Sequence, residues 1–318
     1  MHLVESGKVY LVGAGPGDPT LLTRKAEQLI RSADIILYDR LVNPFILQLA
    51  KPEIEIIDVG KRPYQKHMQQ TEINEQIILA ARRHSCVVRL KGGDPAIFGR
   101  VQEEAVALSE QGITFEIVPG ITSASAAVAK LGIGLTARNV AKAITFTTAS
   151  HCKGQVEELD LHSLTQGGTL AIYMGIKRLP QIVKQILQET KTDFPIAIFY
   201  NVSTYNEQMI SGKLTTIIKQ VEEQDLGMTP GIILIGSVMD MVNEKFRNID
   251  NVKRKNYLIS GARSLAIEKA FELYDVGHYC LMKIDSQQPY HKSQFKLYEQ
   301  LEKELKFDER IVLDNYQY

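Results

Sequence analysis

The segment Arg89-Leu90-Lys91-Gly92-Gly93-Asp94-Pro95-Ala96-Ile97-Phe98-Gly99-Arg100 constrains the fold more than any other. The apolar, β-branched run Cys86-Val87-Val88 leads into it as a strand. Two glycines and an Asp-Pro then break the strand. From about Arg100 a helix resumes, with Val101, Ala105 and Leu108 at helical spacing. A strand that ends in such a loop and feeds a helix exposes bare backbone at the carboxyl edge of a sheet, where open α/β sheets take their ligands.

The same unit recurs through the first half. Strands are expected over Lys8–Val12, Asp34–Tyr38, Glu53–Val59 and Thr114–Val118. Helices are expected over Thr20–Ser32, Pro44–Ala50, Thr71–His84 (with Thr71 as N-cap) and Ser123–Ala129. This alternation is the pattern of a parallel sheet with crossover helices, so the loops after successive strands meet on one edge. Those loops hold Gly13–Asp18, Asp39-Arg40, Lys61-Arg62, Gly92–Asp94 and Pro119–Ser123.

A second α/β domain follows, with strands at Ala143–Thr148, Leu170–Met174, Pro195–Tyr200 and Gly231–Val238. Its helices lie at Leu179–Glu189 and Thr215–Gln224, and Met209–Leu214 reads as a short hairpin or turn. Beyond Lys245 the texture changes. Three short strands (Tyr257–Ser260, His278–Ile284, Glu309–Leu313) and two helices (Leu265–Tyr274, Gln294–Leu305) make a small α/β extension. The expected division is 1–138, 139–244 and 245–318.

Composition narrows the function. Lys+Arg and Asp+Glu are both 37, so there is no basic surplus for general nucleic-acid binding. Cys86, Cys152 and Cys280 are too far apart for a disulfide framework or a metal site. The N-terminus lacks a signal peptide's basic and apolar regions, and no run of about 18 apolar residues appears, so a cytoplasmic chain without membrane spans is expected.

Gly13-Ala14-Gly15-Pro16-Gly17-Asp18 departs from the dinucleotide fingerprint at Pro16 and Asp18. Taken singly, Asp39 and Lys61 read as a surface ion pair or strand-end caps; on one edge with the glycine loops they suit a carboxylate base and an ammonium acid. Arg89 and Lys91 share one face of a strand that should be buried, where charges are paired or point into a cleft. Arg100 and Arg138 lie near the same edge and suit carboxylates or phosphates as well as they suit solvent. Met174, ending a strand, reads by itself as a core methionine.

As an ordered set, the motifs resemble the uroporphyrinogen-III C-methyltransferases. The set comprises Val9–Pro19 with Leu21-Leu22-Thr23, Tyr38–Val42, Gly60-Lys61-Arg62, Gln70–Asn74, Arg89–Arg100, Val118–Ala124 and Thr169–Gly175. It covers roughly residues 8–240. The resemblance implies two α/β domains with a cofactor cleft between them, the tetrapyrrole methylase fold, usually as a homodimer. It implies S-adenosylmethionine (SAM) as methyl donor and methylation of uroporphyrinogen III at two ring carbons, giving precorrin-2 by way of precorrin-1, for sirohaem or cobalamin synthesis.

By motif it assigns Pro16, Gly92, Gly93, Asp94, Ile97, Thr122, Ser123, Met174 and Ser203 to the SAM site. Asp39 becomes the proton acceptor and Lys61 the proton donor. Arg40, Arg62, Arg100 and Arg138, with Lys61, suit the carboxylates of the substrate, and no metal is implied. The chain departs from the family pattern at Gly134, Ala137, Ala149-Ser150-His151, Ser203 (usually glycine) and Ser237. Methyl transfer to a later corrin precursor and a non-catalytic tetrapyrrole sensor are the alternatives. The extension lies outside the resemblance and reads as a dimer-stabilising or interaction module, or a remnant of a fused synthase domain.

Overall fold

The computed structural model describes residues 6–60, 68–149, 158–224, 226, 229–242, 254–284 and 288–313. The chain forms two compact units. The first takes in Met1–Thr122 and Arg254–Tyr318, the second Ser123–Lys253. The unit boundaries therefore fall at 122/123 and 253/254, and the extension belongs to the first unit.

The sheet of the first unit contains β1 (Lys8–Gly13), β2 (Ile35–Tyr38), β3 (Glu55–Asp58), β4 (Cys86–Lys91) and β5 (Phe115–Val118). Its order is β3-β2-β4-β1-β5 and every neighbouring pair is parallel. Four helices accompany it: α1 (Arg24–Ser32), α2 (Pro44–Leu47), α3 (Gln70–Ala81) and α4 (Val101–Glu110). Strand residues divide by parity. Val9, Leu11, Ile35, Leu37 and Val87 join the core beneath α3 and α4, while Val12, Ile36, Tyr38, Val88 and Leu90 join the core on the other face. A sheet buried on both faces needs such continuous apolar runs.

Two local expectations are corrected. The helix expected over Thr20–Ser32 is split: Asp18 caps a 3-10 turn at Pro19–Leu21, and the Thr23 hydroxyl accepts from Ala26 N (3.1 Å) to start α1 afresh. Thr71 is not the N-cap of α3. The helix begins one residue earlier, where the Glu72 carboxylate accepts from Gln69 N at 2.6 Å.

The second unit is a mixed sheet of order β6-β7-β10-β8-β9. Its strands are β6 (Ile144–Thr148), β7 (Thr169–Tyr173), β8 (Pro195–Tyr200), β9 (Gln208–Lys213) and β10 (Gly231–Ile235). Only β6 and β7 run parallel; β10 is antiparallel to β7 and β8, and β9 is antiparallel to β8. The segment read as a hairpin or turn at Met209–Leu214 is the edge strand β9. The helices are α5 (Ser123–Lys130), α6 (His162–Thr165), α7 (Leu179–Thr190) and α8 (Leu214–Glu222).

The extension alternates β11 (Asn256–Ser260), α9 (Arg263–Asp275), β12 (Tyr279–Met282), α10 (Lys292–Glu304) and β13 (Glu309–Val312). Its sheet is parallel, in the order β12-β11-β13. Tyr257, Leu258, Ile259, Leu273, Tyr274 and Tyr298 share one hydrophobic core with Val12, Ile36, Phe45 and Leu47. About 70 residues alone bury little surface; here the extension completes a core that the first 122 residues begin.

Candidate functional site

Three loops at the carboxyl edge of the first sheet are locked to one another. Gly15 N donates to Gly93 O at 3.2 Å and Gly93 N to Gly15 O at 2.7 Å, joining the loops after β1 and β4. Asp94 ties in the loop after β5: one carboxylate oxygen accepts from Ala96 N (2.7 Å), the other from Gly120 N (3.2 Å). The backbones meet so closely that a Cβ on Gly13 would stand 2.7 Å from Gly120 Cα and 2.7 Å from Gly93 O. No side chain fits there. The loop after β2 abuts the same group, since a Cβ on Gly92 would lie 2.8 Å from Leu41 Cβ. The convergence expected from strand–helix alternation is therefore present for four of the five loops; the fifth, Lys61-Arg62, lies outside the described residues.

Gly93 differs from its neighbours. Its φ is +70°, and among the described residues nothing lies within 4 Å of a Cβ placed on it. Bare left-handed backbone facing open space is where a bulky ligand can approach the main chain.

Beneath these loops runs a buried ionic chain. Asp39 follows β2, and its backbone N–H donates to Leu90 O (3.1 Å). Its Oδ1 accepts from Arg89 Nη2 at 2.6 Å. Arg89 Nε donates to Glu104 Oε1 (3.0 Å), and Lys91 Nζ donates to both oxygens of Glu104 (2.8 and 2.9 Å). Arg89, Lys91 and Glu104 are buried, whereas the Asp39 side chain keeps 30% of its surface exposed. Burial opposes the charge on Arg89, but Asp39 and Glu104 outweigh it and hold the guanidinium above its ordinary value. Burial, with the Arg89 charge beside it, lowers the Lys91 ammonium despite Glu104. The network delivers one carboxylate edge, that of Asp39, to the loop side with its orientation fixed.

Other assigned residues stand as follows. Pro16 and Ile97 are half-buried in the loops after β1 and β4, and Ile97 N donates to Asp94 O at 3.1 Å. Thr122 closes the first unit; Ser123 opens α5 in the second. Arg40 Nε lies 3.4 Å from Asp58 Oδ2. Arg100 is left-handed (φ +56°), exposed, and doubly bonded to Glu103 (2.7 and 2.6 Å). Arg138 is exposed in the second unit, within the turn closed by the Ala137–Ala141 bridge. Lys61 and Arg62 lie outside the described residues.

Met174 is neither a core methionine nor the last strand residue: it is the turn residue just after β7, with φ +55° and 53% of its surface exposed. Ser203 has φ +61°, which explains why glycine suits that position. It is fully buried, its backbone N–H donates to Glu207 Oε2, and its hydroxyl has no hydrogen-bond partner among the described residues. Lys130 Nζ meets the same Glu207 oxygen at 2.7 Å. Within the first unit, the open backbone at Gly93 is a cradle that a bound nucleoside-type group would fill. Among the described residues no cluster of His, Cys, Asp and Glu could hold a metal, and no helix is long and apolar enough to cross a membrane.

Sequence reasoning missed Glu104 and Asn43. Glu104 had a signal: it falls in the stripe Val101, Ala105, Leu108 of α4, opposite two basic residues on a buried strand. Asn43, the N-cap of α2, carried no comparable mark.

The family model for tetrapyrrole (corrin/porphyrin) methylases matches residues 8–218. The chain belongs to this family. A uroporphyrinogen-III C-methyltransferase of Priestia megaterium is 44% identical over 236 residues, 74% of this chain and 99% of the relative. Among solved structures, the Thermus thermophilus uroporphyrin-III C-methyl transferase complexed with S-adenyl homocysteine aligns with a TM-score of 0.63 at 37% identity. It covers 74% of this chain and all of that one. A cobalt precorrin-4 methyltransferase aligns with a TM-score of 0.64 at 27% identity, covering 73% and 96%. The family match ends at residue 218, before the extension begins.

Proposed function

We propose that the chain methylates uroporphyrinogen III at two ring carbons with SAM as donor, giving precorrin-2 by way of precorrin-1 for sirohaem or cobalamin synthesis. The observation that carries this reading is the oriented Asp39 carboxylate at the edge where the glycine loops are locked together. The 44% identity to a relative of that name, over nearly its whole length, supports the choice of substrate.

SAM supplies an activated methyl on a sulfonium. Pro16, Gly92, Gly93, Asp94, Ile97, Thr122, Ser123, Met174 and Ser203 are the proposed residues of its site. The open backbone at Gly93 suits a flat, bulky ligand, and the Ser203 hydroxyl has hydrogen-bonding capacity to offer it. Methyl transfer between bound partners is chiefly a positioning task. Once the methyl group has passed from the sulfonium to a fully substituted ring carbon, the macrocycle is cationic, and Asp39 accepts the proton it loses from a neighbouring position, the carboxylate being fixed by Arg89. Lys61 is the proposed donor for proton return. Arg40, Arg62, Arg100 and Arg138 are the proposed partners of the substrate's carboxylates, for which guanidinium forks are suited; Arg100 must then exchange Glu103 for substrate. A homodimer in the cytoplasm completes the reading.

Purified protein incubated with SAM and uroporphyrinogen III should yield a chromophore that carries two added methyl groups, each gained with the loss of one proton. Absence of any methylated product would overturn the reading. The likeness to a cobalt precorrin-4 methyltransferase raises a later corrin precursor as a second substrate class, at markedly lower identity. Competition between the two substrates separates them.

A further inference from the structure

The extension is bonded to the rest of the first unit along residues 43–56. Arg263 Nη2 donates to Gln48 O and Ala50 O (both 2.7 Å). Gln48 and Met282 exchange two bonds: Gln48 Nε2 to Met282 O at 2.6 Å and Met282 N to Gln48 Oε1 at 2.8 Å. Gln294 Nε2 donates to Lys51 O and Ile54 O (2.8 and 2.9 Å), and Ile56 N donates to Ser293 Oγ at 3.0 Å. These bonds anchor backbone and buried amides far from the glycine loops in sequence.

One contact reaches the loops. Asn43 accepts from Phe45 N (2.9 Å) through Oδ1, capping α2. Its Nδ2 donates both to Gly17 O (2.7 Å), in the loop after β1, and to Tyr274 Oη (3.1 Å) on α9. Tyr274 donates in turn to Cys280 O at 3.2 Å. Its ring is buried, 5.2 Å from Phe45 and 5.7 Å from Tyr279 between centroids. Burial raises the Tyr274 hydroxyl well above its ordinary value, so it stays protonated and able to donate. The extension also packs on the Pro19–Leu21 turn at the other end of the same loop.

We propose that the extension positions the donor loop: Tyr274 fixes the Asn43 amide, and Asn43 holds Gly17 and with it Pro16. Asn43 and Tyr274 are positioning residues, acting through the loop rather than touching the reacting atoms. This rests on the proposed assignment of Pro16 to the SAM site. A separately folded appendage would have no reason to contribute a buried hydroxyl to the side-chain amide that grips a ligand loop.

The test compares three variants of the full chain. Tyr274→Phe keeps the ring and removes the hydroxyl. Asn43→Asp keeps the cap on Phe45 N and removes the amide donor. Ser293→Ala removes a bond of the same docked face that does not reach the loop. S-adenosylhomocysteine is titrated calorimetrically, kcat and KM for SAM are measured, and thermal midpoints are recorded. Tyr274→Phe and Asn43→Asp should each weaken S-adenosylhomocysteine and raise KM for SAM about fivefold, the effect of one neutral hydrogen bond, with kcat little changed. Ser293→Ala should lower the midpoint and leave Kd and KM within twofold. If Tyr274→Phe and Asn43→Asp lower the midpoint as Ser293→Ala does while Kd and KM stay put, the extension is scaffold only and the inference falls. A wild-type chain that fails to bind S-adenosylhomocysteine would instead overturn the proposed function itself.

Discussion

Glu104 pairs with two buried bases, and replacing it isolates the energetics of the site's foundation. Asp39, Glu104, Arg89 and Lys91 sum to zero charge; Glu104→Gln leaves one positive charge in excess beside a fully buried position. The amide keeps the shape and one acceptor but cannot neutralise a cation. Removing one partner of a buried ion pair costs about 3–5 kcal/mol, mostly because the survivor is stranded without water. With a urea slope of about 2 kcal/mol/M, the transition of the first unit should move down by about 2 M.

The sign with pH follows from Lys91. Its folded value lies below its ordinary 10.5, so between the two the unfolded chain binds more protons and stability rises with pH up to 10.5. Glu104 works to raise Lys91. Without it the lower end of that window drops, and Glu104→Gln should recover stability over a wider alkaline range than the wild type. The assay is urea unfolding at several pH values, with Glu104→Gln/Lys91→Met as companion; the companion restores charge balance and should regain more than half of the loss. A midpoint shift under about 0.5 M for Glu104→Gln would refute the buried-network reasoning.

Three further outcomes are expected. Asp39→Asn should lower kcat about 10²–10⁴-fold with little change in KM for SAM, as loss of a general base does; steady-state kinetics on uroporphyrinogen III checks it, and an unchanged kcat removes Asp39 from the chemistry. Gly120→Ala should destabilise the first unit by about 1–3 kcal/mol and abolish S-adenosylhomocysteine binding, because the added Cβ would stand 2.9 Å from Gly13 Cα. Ser203→Gly should raise the thermal midpoint of the second unit by a few degrees: relieving a left-handed serine recovers roughly 1–2 kcal/mol, of which glycine's chain entropy takes back about 0.5–1.

The first sheet was legible because each strand is a short, continuous apolar run followed by a glycine or charged loop, and parallel connectivity leaves those loops no other edge to occupy. Edge strand β9 was not. Gln208-Met209-Ile210-Ser211-Gly212-Lys213 is partly exposed throughout and carries an interior glycine, so neither alternation nor an apolar run marks it. The break at Leu22-Thr23 was masked by leucines on both sides of a hydroxyl cap. Arg89 and Lys91 announced a buried charge, yet their partner Glu104 sits beside exposed Glu103 in a helix that reads as solvated. The elements of the extension were readable one by one. Their docking was not, because Arg263 meets Gln48 and Gln294 meets Ile54 across more than 200 residues of sequence, and local pattern says nothing about such pairs.

Hydrogen exchange on the full chain, with and without S-adenosylhomocysteine, probes the shared cradle most directly. Slower exchange is predicted in residues 13–19, 92–97 and 120–122 together, since the three loops are bonded into one surface. Protection confined to a single loop, or falling wholly outside all three, would contradict it.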